Sequence, residues 1–261
     1  MIRAAFFDID GTLLSFRTHR VSDGTVRAFR RLHAAGVRTF ISSGRPMVLI
    51  PPMPVTFEGH ITMNGALVEV DSAEGRRTLL SRPIVEADKQ AWLDYAGRHG
   101  LCTMLFSADA MYLAQPNEAG MRLRDQLEFQ LPPISSLDEL RHHDAFQLIA
   151  LMPAEADAKV AALMPHCRLP RWHPAFTDIV ADGNSKAVGM DAICRHYGIP
   201  QDETIAFGDG ANDIEMLRWA GIGIAMGNAT DDVKEAADMV TTSVDEEGIE
   251  KAIENLKENL G

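Results

Sequence analysis

An α/β fold interrupted by an α+β insertion is the architecture that this 261-residue chain predicts, and three observations predict it. Short apolar runs alternate with stretches of helical spacing in the first third. The alternation returns after Lys186. Between them lies a segment in which strand-like runs follow one another as often as they alternate with helices. At this length, and with 46% hydrophobic residues, the chain accommodates one large or two modest domains with a packed core.

The first strand is Ala4-Ala5-Phe6-Phe7, which ends in Asp8-Ile9-Asp10-Gly11-Thr12-Leu13-Leu14. Val26, Phe29 and Leu32 repeat at helical spacing within Val21 to Ala35, and Gly36 is placed to end that helix. Val37 to Ser42 follows as a strand that runs into Ser43-Gly44-Arg45. Pro51, Pro52 and Pro54 break the next stretch. Gly59 to Met63 then reads as a strand, and Ala66 to Val70 with Thr78 to Leu80 as a hairpin across Glu74-Gly75.

The insertion reads as a helix over Glu86 to His99, strands over Leu101 to Phe106 and Ala110 to Ala114, and a helix over Glu118 to Phe129. A strand over Ala145 to Met152, a helix over Ala154 to Met164, and strands over Arg168 to Trp172 and Thr177 to Ala181 complete it. The core resumes with a helix over Lys186 to Tyr197, which has Asn184 or Ser185 as its N-cap and is closed by Gly198 and Pro200. Thr204-Ile205-Ala206-Phe207 is a further strand. Helical spacing recurs at Ile214, Leu217 and Ala220, and at Ile249, Ile253, Leu256 and Leu260, where the stripe reads as core packing.

Charge narrows the partners. With 25 basic against 37 acidic residues the net charge is −12, which argues against nucleic acid or an anionic membrane. No apolar run approaches the ~18 residues of a membrane span, and the chain begins almost at once with a core strand, so no membrane segment or cleaved leader is expected. Cys102, Cys167 and Cys194 are widely spaced and form no CxxC pair. Neither a disulfide framework nor a zinc site is expected from them, and a reducing, cytoplasmic setting fits.

The chemistry is concentrated in four places. Asp8 and Asp10 are two carboxylates on either side of one residue at a strand end, and they repel unless a cation or a shared proton offsets them. A single such pair with a following glycine is ordinary loop. The reading changes because Gly208-Asp209-Gly210-Ala211-Asn212-Asp213 repeats the same plan of strand, acids and glycine, and ligands of open α/β sheets bind at the carboxyl ends of neighbouring strands. Ser43 offers a hydroxyl beside a backbone N–H, which suits a phosphate oxygen. Lys186 starts a helix and supplies a cation.

In this order the four segments resemble motifs I to IV of the haloacid dehalogenase superfamily of phosphohydrolases. DIDGTLL is similar to DxDGTL, SSGR stands where TGR is usual, Lys186 matches the single lysine, and GDGAND matches GDGxND. Asn64-Gly65-Ala66, Gly223 to Ala229, Val233-Lys234 and Ala237-Asp238 resemble the Cof-type branch with a class IIB cap. Two departures are local: Ser43 replaces threonine, and Ala187 replaces a glycine often seen after the lysine.

The resemblance implies a Rossmann-like core with a central parallel sheet over 1–82 and 185–261, and an α+β cap over 83–184. It implies a phosphomonoester hydrolase acting on a small phosphorylated metabolite such as a sugar phosphate or a phosphorylated cofactor. A phosphotransferase or phosphomutase on the same scaffold is the alternative, and a phospho-aspartate receiver module a more distant one. Asp8 is the expected nucleophile, Asp10 the acid and base, and Lys186 the neutralising cation. Ser43 and Gly44 are expected to hold a phosphate oxygen. Asn212 is expected to contact phosphate or substrate, and Arg45 either reaches the substrate or forms a structural ion pair.

Mg²⁺ is the expected metal because every candidate ligand is an oxygen, and the resemblance implies that the carboxylates of Asp8 and Asp209 and the backbone carbonyl of Asp10 hold it. Asp213 acts one layer further out, through water or by orienting Lys186. Specificity falls to the cap, where Met104, Phe106, Tyr112, Gln115, His173 and Asp178 are candidate contacts and each also reads as an ordinary core or surface residue.

Overall fold

The computed structural model describes residues 1–118, 132–171 and 173–260. Along the chain, β1 (Ala4–Phe7), α1 (Asp23–Ala34), β2 (Arg38–Ser42), β3 (Gly59–Thr62), β4 (Leu67–Ser72) and β5 (Gly75–Ser81) come first. There follow α2 (Glu86–His99), β6 (Thr103–Phe106), β7 (Met111–Ala114), β8 (Ile134–Ser135), α3 (Leu137–Arg141), β9 (Gln147–Ala150), α4 (Asp157–Leu163), β10 (Cys167–Arg168) and β11 (Thr177–Ala181). The last part holds α5 (Lys186–Tyr197), β12 (Thr204–Gly208), α6 (Ile214–Trp219), β13 (Ile222–Ala225), α7 (Asp231–Ala236), β14 (Met239–Val240) and α8 (Gly248–Asn255).

These elements form two compact units. The first comprises Met1–Arg45, Ile50–Ser81 and Ser185–Gly261; the second comprises Pro46–Leu49 and Arg82–Asn184. Among the described residues no helix is long and apolar enough to cross a membrane, and the three cysteines are free thiols.

An eight-stranded sheet in the order β14-β13-β12-β1-β2-β3-β4-β5 organises the first unit. The strands from β14 to β3 are parallel, and β4 and β5 add an antiparallel hairpin at one edge. β1 shows why it sits at the centre. Its four residues are all buried, and alternate side chains feed opposite faces. Ala5 and Phe7 join one apolar cluster with Phe29 and Leu32 of α1 and Ile249 and Ile253 of α8. Ala4 and Phe6 join another with Met190 and Ile193 of α5 and Met216 and Leu217 of α6. The result is three layers, helix on sheet on helix. Stacking of Phe7 on Phe207 at 5.0 Å and of Phe6 on Phe40 at 5.1 Å ties β1 to both neighbours, at about 0.5–1.5 kcal/mol per pair beyond area burial.

The second unit has its own sheet, in the order β10-β11-β9-β6-β7-β8. Among the described residues its pairings are antiparallel except β7 with β8. Trp92 and Leu93 of α2 and Val160 of α4 pack with Leu105, Leu148 and Ile179 on one face of this sheet. Trp92 keeps its one polar atom satisfied by donating Nε1–H to Thr103 Oγ1 at 2.9 Å. Lys89, only 2% exposed, donates its ammonium protons to the carbonyls of Arg141 and His143 at 2.9 and 2.8 Å, and so caps the end of α3.

Several expected bounds shift. The segment from Ala154 opens as a 3₁₀ turn and becomes α-helical at Asp157. The strand expected at Arg168 to Trp172 is Cys167–Arg168, with Trp172 outside the described residues. Beyond Glu118, the helix expected up to Phe129 also lies outside them. β8 and α3 were not foreseen; α3 is announced by Ser136, whose hydroxyl accepts the Glu139 N–H at 3.0 Å.

Two punctuation points set α5, which carries Lys186. Ser185 is its N-cap and accepts the Val188 N–H at 3.3 Å, and Gly198 closes it in the left-handed region at φ 61°. Gly65, at φ 88°, lets the β3–β4 turn approach the backbone of Ser185 so closely that a Cβ there would lie 2.0 Å from its carbonyl oxygen. Gly65→Ala is therefore expected to cost about 2–5 kcal/mol, combining left-handed strain with a backbone collision. Gly198→Ala, with a comparable φ but open space around it, should cost only about 1–2 kcal/mol. Urea denaturation of the two variants checks this: equal losses would show that the close approach to Ser185 carries no weight.

Candidate active site

Three parallel neighbours, β12, β1 and β2, end at the same edge of the first sheet and deliver Asp209, Asp8 and Ser43 there. Register fixes this, since Phe7 lies opposite both Phe207 and Ile41, and the functional residues follow within two positions. Lys186 enters from the first turn of α5. Its side chain is fully buried, and its Nζ donates to Asp8 Oδ1 at 2.5 Å and to Asp213 Oδ1.

Asp213 is also fully buried, and its second oxygen accepts the N–H groups of Asp209 and Gly210 at 3.0 and 2.9 Å. One carboxylate thus fixes both the lysine and the turn that carries Asp209. That turn needs Gly208, because a Cβ there would lie 2.5 Å from Asp213 Cγ.

Carboxylate oxygens of Asp8, Asp209 and Asp213 lie within 4.8 Å of one another. Three acids against one ammonium leave the cluster short of positive charge. Burial, with Asp213 and Asp209 adding to it and Lys186 opposing it, pushes the Asp8 carboxyl well above the usual carboxylate range. Asp209 is pushed up to about 6, mainly by burial, with Asp213 adding to it and the Thr12 hydroxyl opposing it. Burial alone would favour neutral Lys186, but Asp213 and Asp8 outweigh it and hold the ammonium charged. Hard oxygen donors carrying excess negative charge in a partly dry site fit a divalent cation.

Asp10 is not one of the clustered carboxylates. It is held bidentately by Arg45, whose Nε and Nη2 donate at 2.7 and 2.6 Å. Arg45 therefore makes the ion pair that the sequence allowed as one of its two roles.

Ser43 is buried and its hydroxyl accepts the Arg45 N–H at 3.1 Å. Gly44 lies against Asn64 and Asn212, from whose side chains a Cβ would be 3.3 and 3.6 Å away. Asn212 in turn donates to Asn64 Oδ1 at 2.9 Å. Of the second-unit candidates, Met104, Phe106 and Asp178 are buried, Tyr112 stacks on His143, and His173 stacks on Phe176.

Three site residues had no assigned role in the sequence. Thr12 donates to Asp209 Oδ1 at 2.7 Å, Asn228 donates to Asp209 Oδ2 at 3.0 Å, and Asn64 meets Asn212. Asn64 and Asn228 each sit beside a glycine in segments already noted for their resemblance. Their partners lie far off in sequence, so only the fold reveals what they touch.

Residues 5–253 match the haloacid dehalogenase-like hydrolase family. Among solved structures, a HAD subclass IIB sugar phosphatase is 38% identical, with a TM-score of 0.84 over 98% of this chain and 99% of that one. The Bacillus subtilis 5-amino-6-(5-phospho-D-ribitylamino)uracil phosphatase YitU is 30% identical over 266 residues, which cover 93% of each chain. A Streptococcus pyogenes protein provisionally named a bifunctional phosphatase/peptidyl-prolyl cis-trans isomerase is 31% identical over 259 residues, 98% of this chain but 54% of that protein. This chain thus spans about half the length of that relative.

A carboxyl whose pKa is raised in the folded state makes ionisation costly there, so its unfavourable contribution appears as the pH rises through the folded value. For Asp209, raised from 3.8 to about 6, that window runs from about pH 4 to above 6. In chelator, Asp209→Asn should melt above the wild type at pH 7.5, and the gap should close as the pH falls towards 4. A gap that stays constant with pH would show that the Asp209 charge is not under this strain.

Proposed function

The chain belongs to the haloacid dehalogenase-like hydrolases, and we propose that it is a Mg²⁺-dependent phosphomonoester hydrolase working through an aspartyl phosphate on Asp8. The observation that carries this reading is the buried contact of Lys186 with Asp8 beside Asp209, at the carboxyl ends of adjacent parallel strands. Asp8 and Asp209, with the backbone carbonyl of Asp10, would hold the metal, which supplies charge neutralisation to the phosphoryl group when bound.

Lys186 keeps Asp8 Oδ1 in place, so that a carboxylate oxygen can meet phosphorus in line with the ester oxygen. As the Asp8 O–P bond forms, the P–O ester bond breaks and Asp10 gives a proton to the leaving alkoxide. Asp10 then takes a proton from water, whose oxygen attacks phosphorus. The Asp8 O–P bond breaks and orthophosphate leaves. To act as an acid, Asp10 must carry a proton, which removes the negative charge that pairs with Arg45 and weakens both hydrogen bonds to it. The ion pair is therefore expected to open during turnover. Ser43, Gly44 and Asn212 line the place for the remaining phosphoryl oxygens.

A small phosphorylated metabolite, either a sugar phosphate or a phosphorylated cofactor, is the substrate class we assign. Its support is the likeness to a sugar phosphatase and to a phosphoribitylaminouracil phosphatase. Every residue given a chemical role lies in the first unit, and choice among leaving groups is assigned to the second. A net charge of −12 speaks against nucleic acid as the substrate.

Phosphate release from a panel of phosphorylated metabolites, with and without chelator, tests the reading; no Mg²⁺-dependent release from any of them would refute it. Asp8→Asn should abolish turnover with the fold intact, because the amide is nearly isosteric but a poor nucleophile. Asp10→Asn should lose about 10²- to 10⁴-fold on alkyl phosphates. It should lose much less in single-turnover phosphorylation by p-nitrophenyl phosphate, whose leaving group needs little protonation. Equal losses on the two substrates would remove Asp10 from the acid role.

A further inference from the structure

We infer that Asn228 is a positioning residue for the proposed metal site, fixing Asp209 and the Gly11 backbone together. The inference rests on the divalent-metal reading above. Asn228 lies just beyond β13, exposed at the rim of the first unit. Its Nδ2 donates to the Gly11 carbonyl at 2.9 Å and to Asp209 Oδ2 at 3.0 Å, while its Oδ1 accepts the Val244 N–H at 2.9 Å. The amide orientation is forced, since a backbone N–H can only donate and the other two partners can only accept.

The arrangement does more than link three loops. The Gly11 carbonyl and Asp209 Oδ2 are both acceptors, and without the amide protons of Asn228 between them they repel. Asp209 has little room to turn away, because a Cβ on Gly11 would lie 2.1 Å from Oδ2, so the carboxylate already rests on the glycine Cα. Thr12 holds the other oxygen at 2.7 Å. With one donor on each oxygen, the carboxylate keeps a fixed set of outward lone pairs for a cation.

Gly11 is fixed at both ends. Its N–H donates to the Leu14 carbonyl at 2.9 Å and its carbonyl accepts from Asn228. The Gly11 N–H shares a peptide plane with the Asp10 carbonyl, so the backbone oxygen proposed as a metal ligand is aimed by the Leu14 contact, and Asn228 holds the peptide plane that follows. Asn228 itself is kept in register by the segment after β14. Gly227 N–H donates to the Thr242 carbonyl at 3.1 Å, and Ser15 Oγ donates to Asp245 Oδ1 at 2.7 Å.

Calorimetric titration of Mg²⁺ into the chelator-stripped full chain tests the role. Asn228→Ala should weaken Mg²⁺ binding about 10- to 100-fold, while KM for a phosphate ester at saturating Mg²⁺ barely moves. Asn228→Asp separates positioning from loop stapling and protects against misfolding of the alanine variant. It still accepts the Val244 N–H but turns only acceptors towards Asp209 and Gly11. Charge alone predicts tighter Mg²⁺ binding by this variant, whereas positioning predicts weaker binding. A folded Asn228→Asp that binds as tightly as the wild type, or more tightly, overturns the inference and leaves the proposed function standing. A wild type that binds no Mg²⁺ overturns the metal reading, and the inference with it.

Discussion

A single buried ammonium is the constraint on which the first unit is built. Lys186 is fully buried, so its charge must be met by protein, and it is met by Asp8 on one side and Asp213 on the other. Such a group is poor evidence for stability: breaking a buried pair costs about 3–5 kcal/mol, yet forming one returns little against desolvation. What it yields is placement. Asp8 leaves β1, Asp213 follows β12, and Lys186 opens α5, so one cation fixes the relation of two adjacent strands to a helix packed on one face of their sheet. The close approaches at Gly65 and Gly208 serve the same end, bringing the Ser185 cap and the Asp213 carboxylate to where the lysine requires them.

The same constraint leaves the site two positive charges short when its three carboxyls are ionised. Lys186 answers two acids and Asp209 remains, held by Thr12 and Asn228, with neither donor bringing a formal charge. Burial and neighbouring acids then resist ionisation of Asp8 and Asp209. A second cation relieves this, and so does a proton, so pH and metal compete for the same groups. Asp10 stands apart with its own cation, Arg45. The proposed roles follow this separation, with the metal assigned to Asp8 and Asp209 and proton transfer to Asp10, a division suited to acyl-phosphate chemistry.

Legibility in the sequence followed length and punctuation. α5 was readable to its bounds because Ser185 and Gly198 mark both ends, and β1 because four apolar residues run into two acids. The candidate cluster was readable as two strand-end acidic turns and one lysine, since parallel strands side by side bring their carboxyl ends together. β8 and α3 escaped because two and five residues are too few to show a period, although Ser136 and Glu139 carry a cap signal. The holds on Asp209 escaped for a different reason: Thr12 lies 197 positions from it and Asn228 lies 19, so each contact exists only once the sheet order is set. The pairing of Arg45 with Asp10 likewise shows only in the fold, since 35 positions separate them.

The central claim is that the strand-end carboxylate held by Lys186 carries the phosphoryl group. Rapid quenching during turnover of a phosphate ester, borohydride reduction of the trapped acyl phosphate, and peptide mass spectrometry test it directly. The account predicts conversion of Asp8 to homoserine, dependent on Mg²⁺ and on substrate. Full turnover with Asp8 unmodified, or with the label on Asp10 or Asp209 instead, would contradict it.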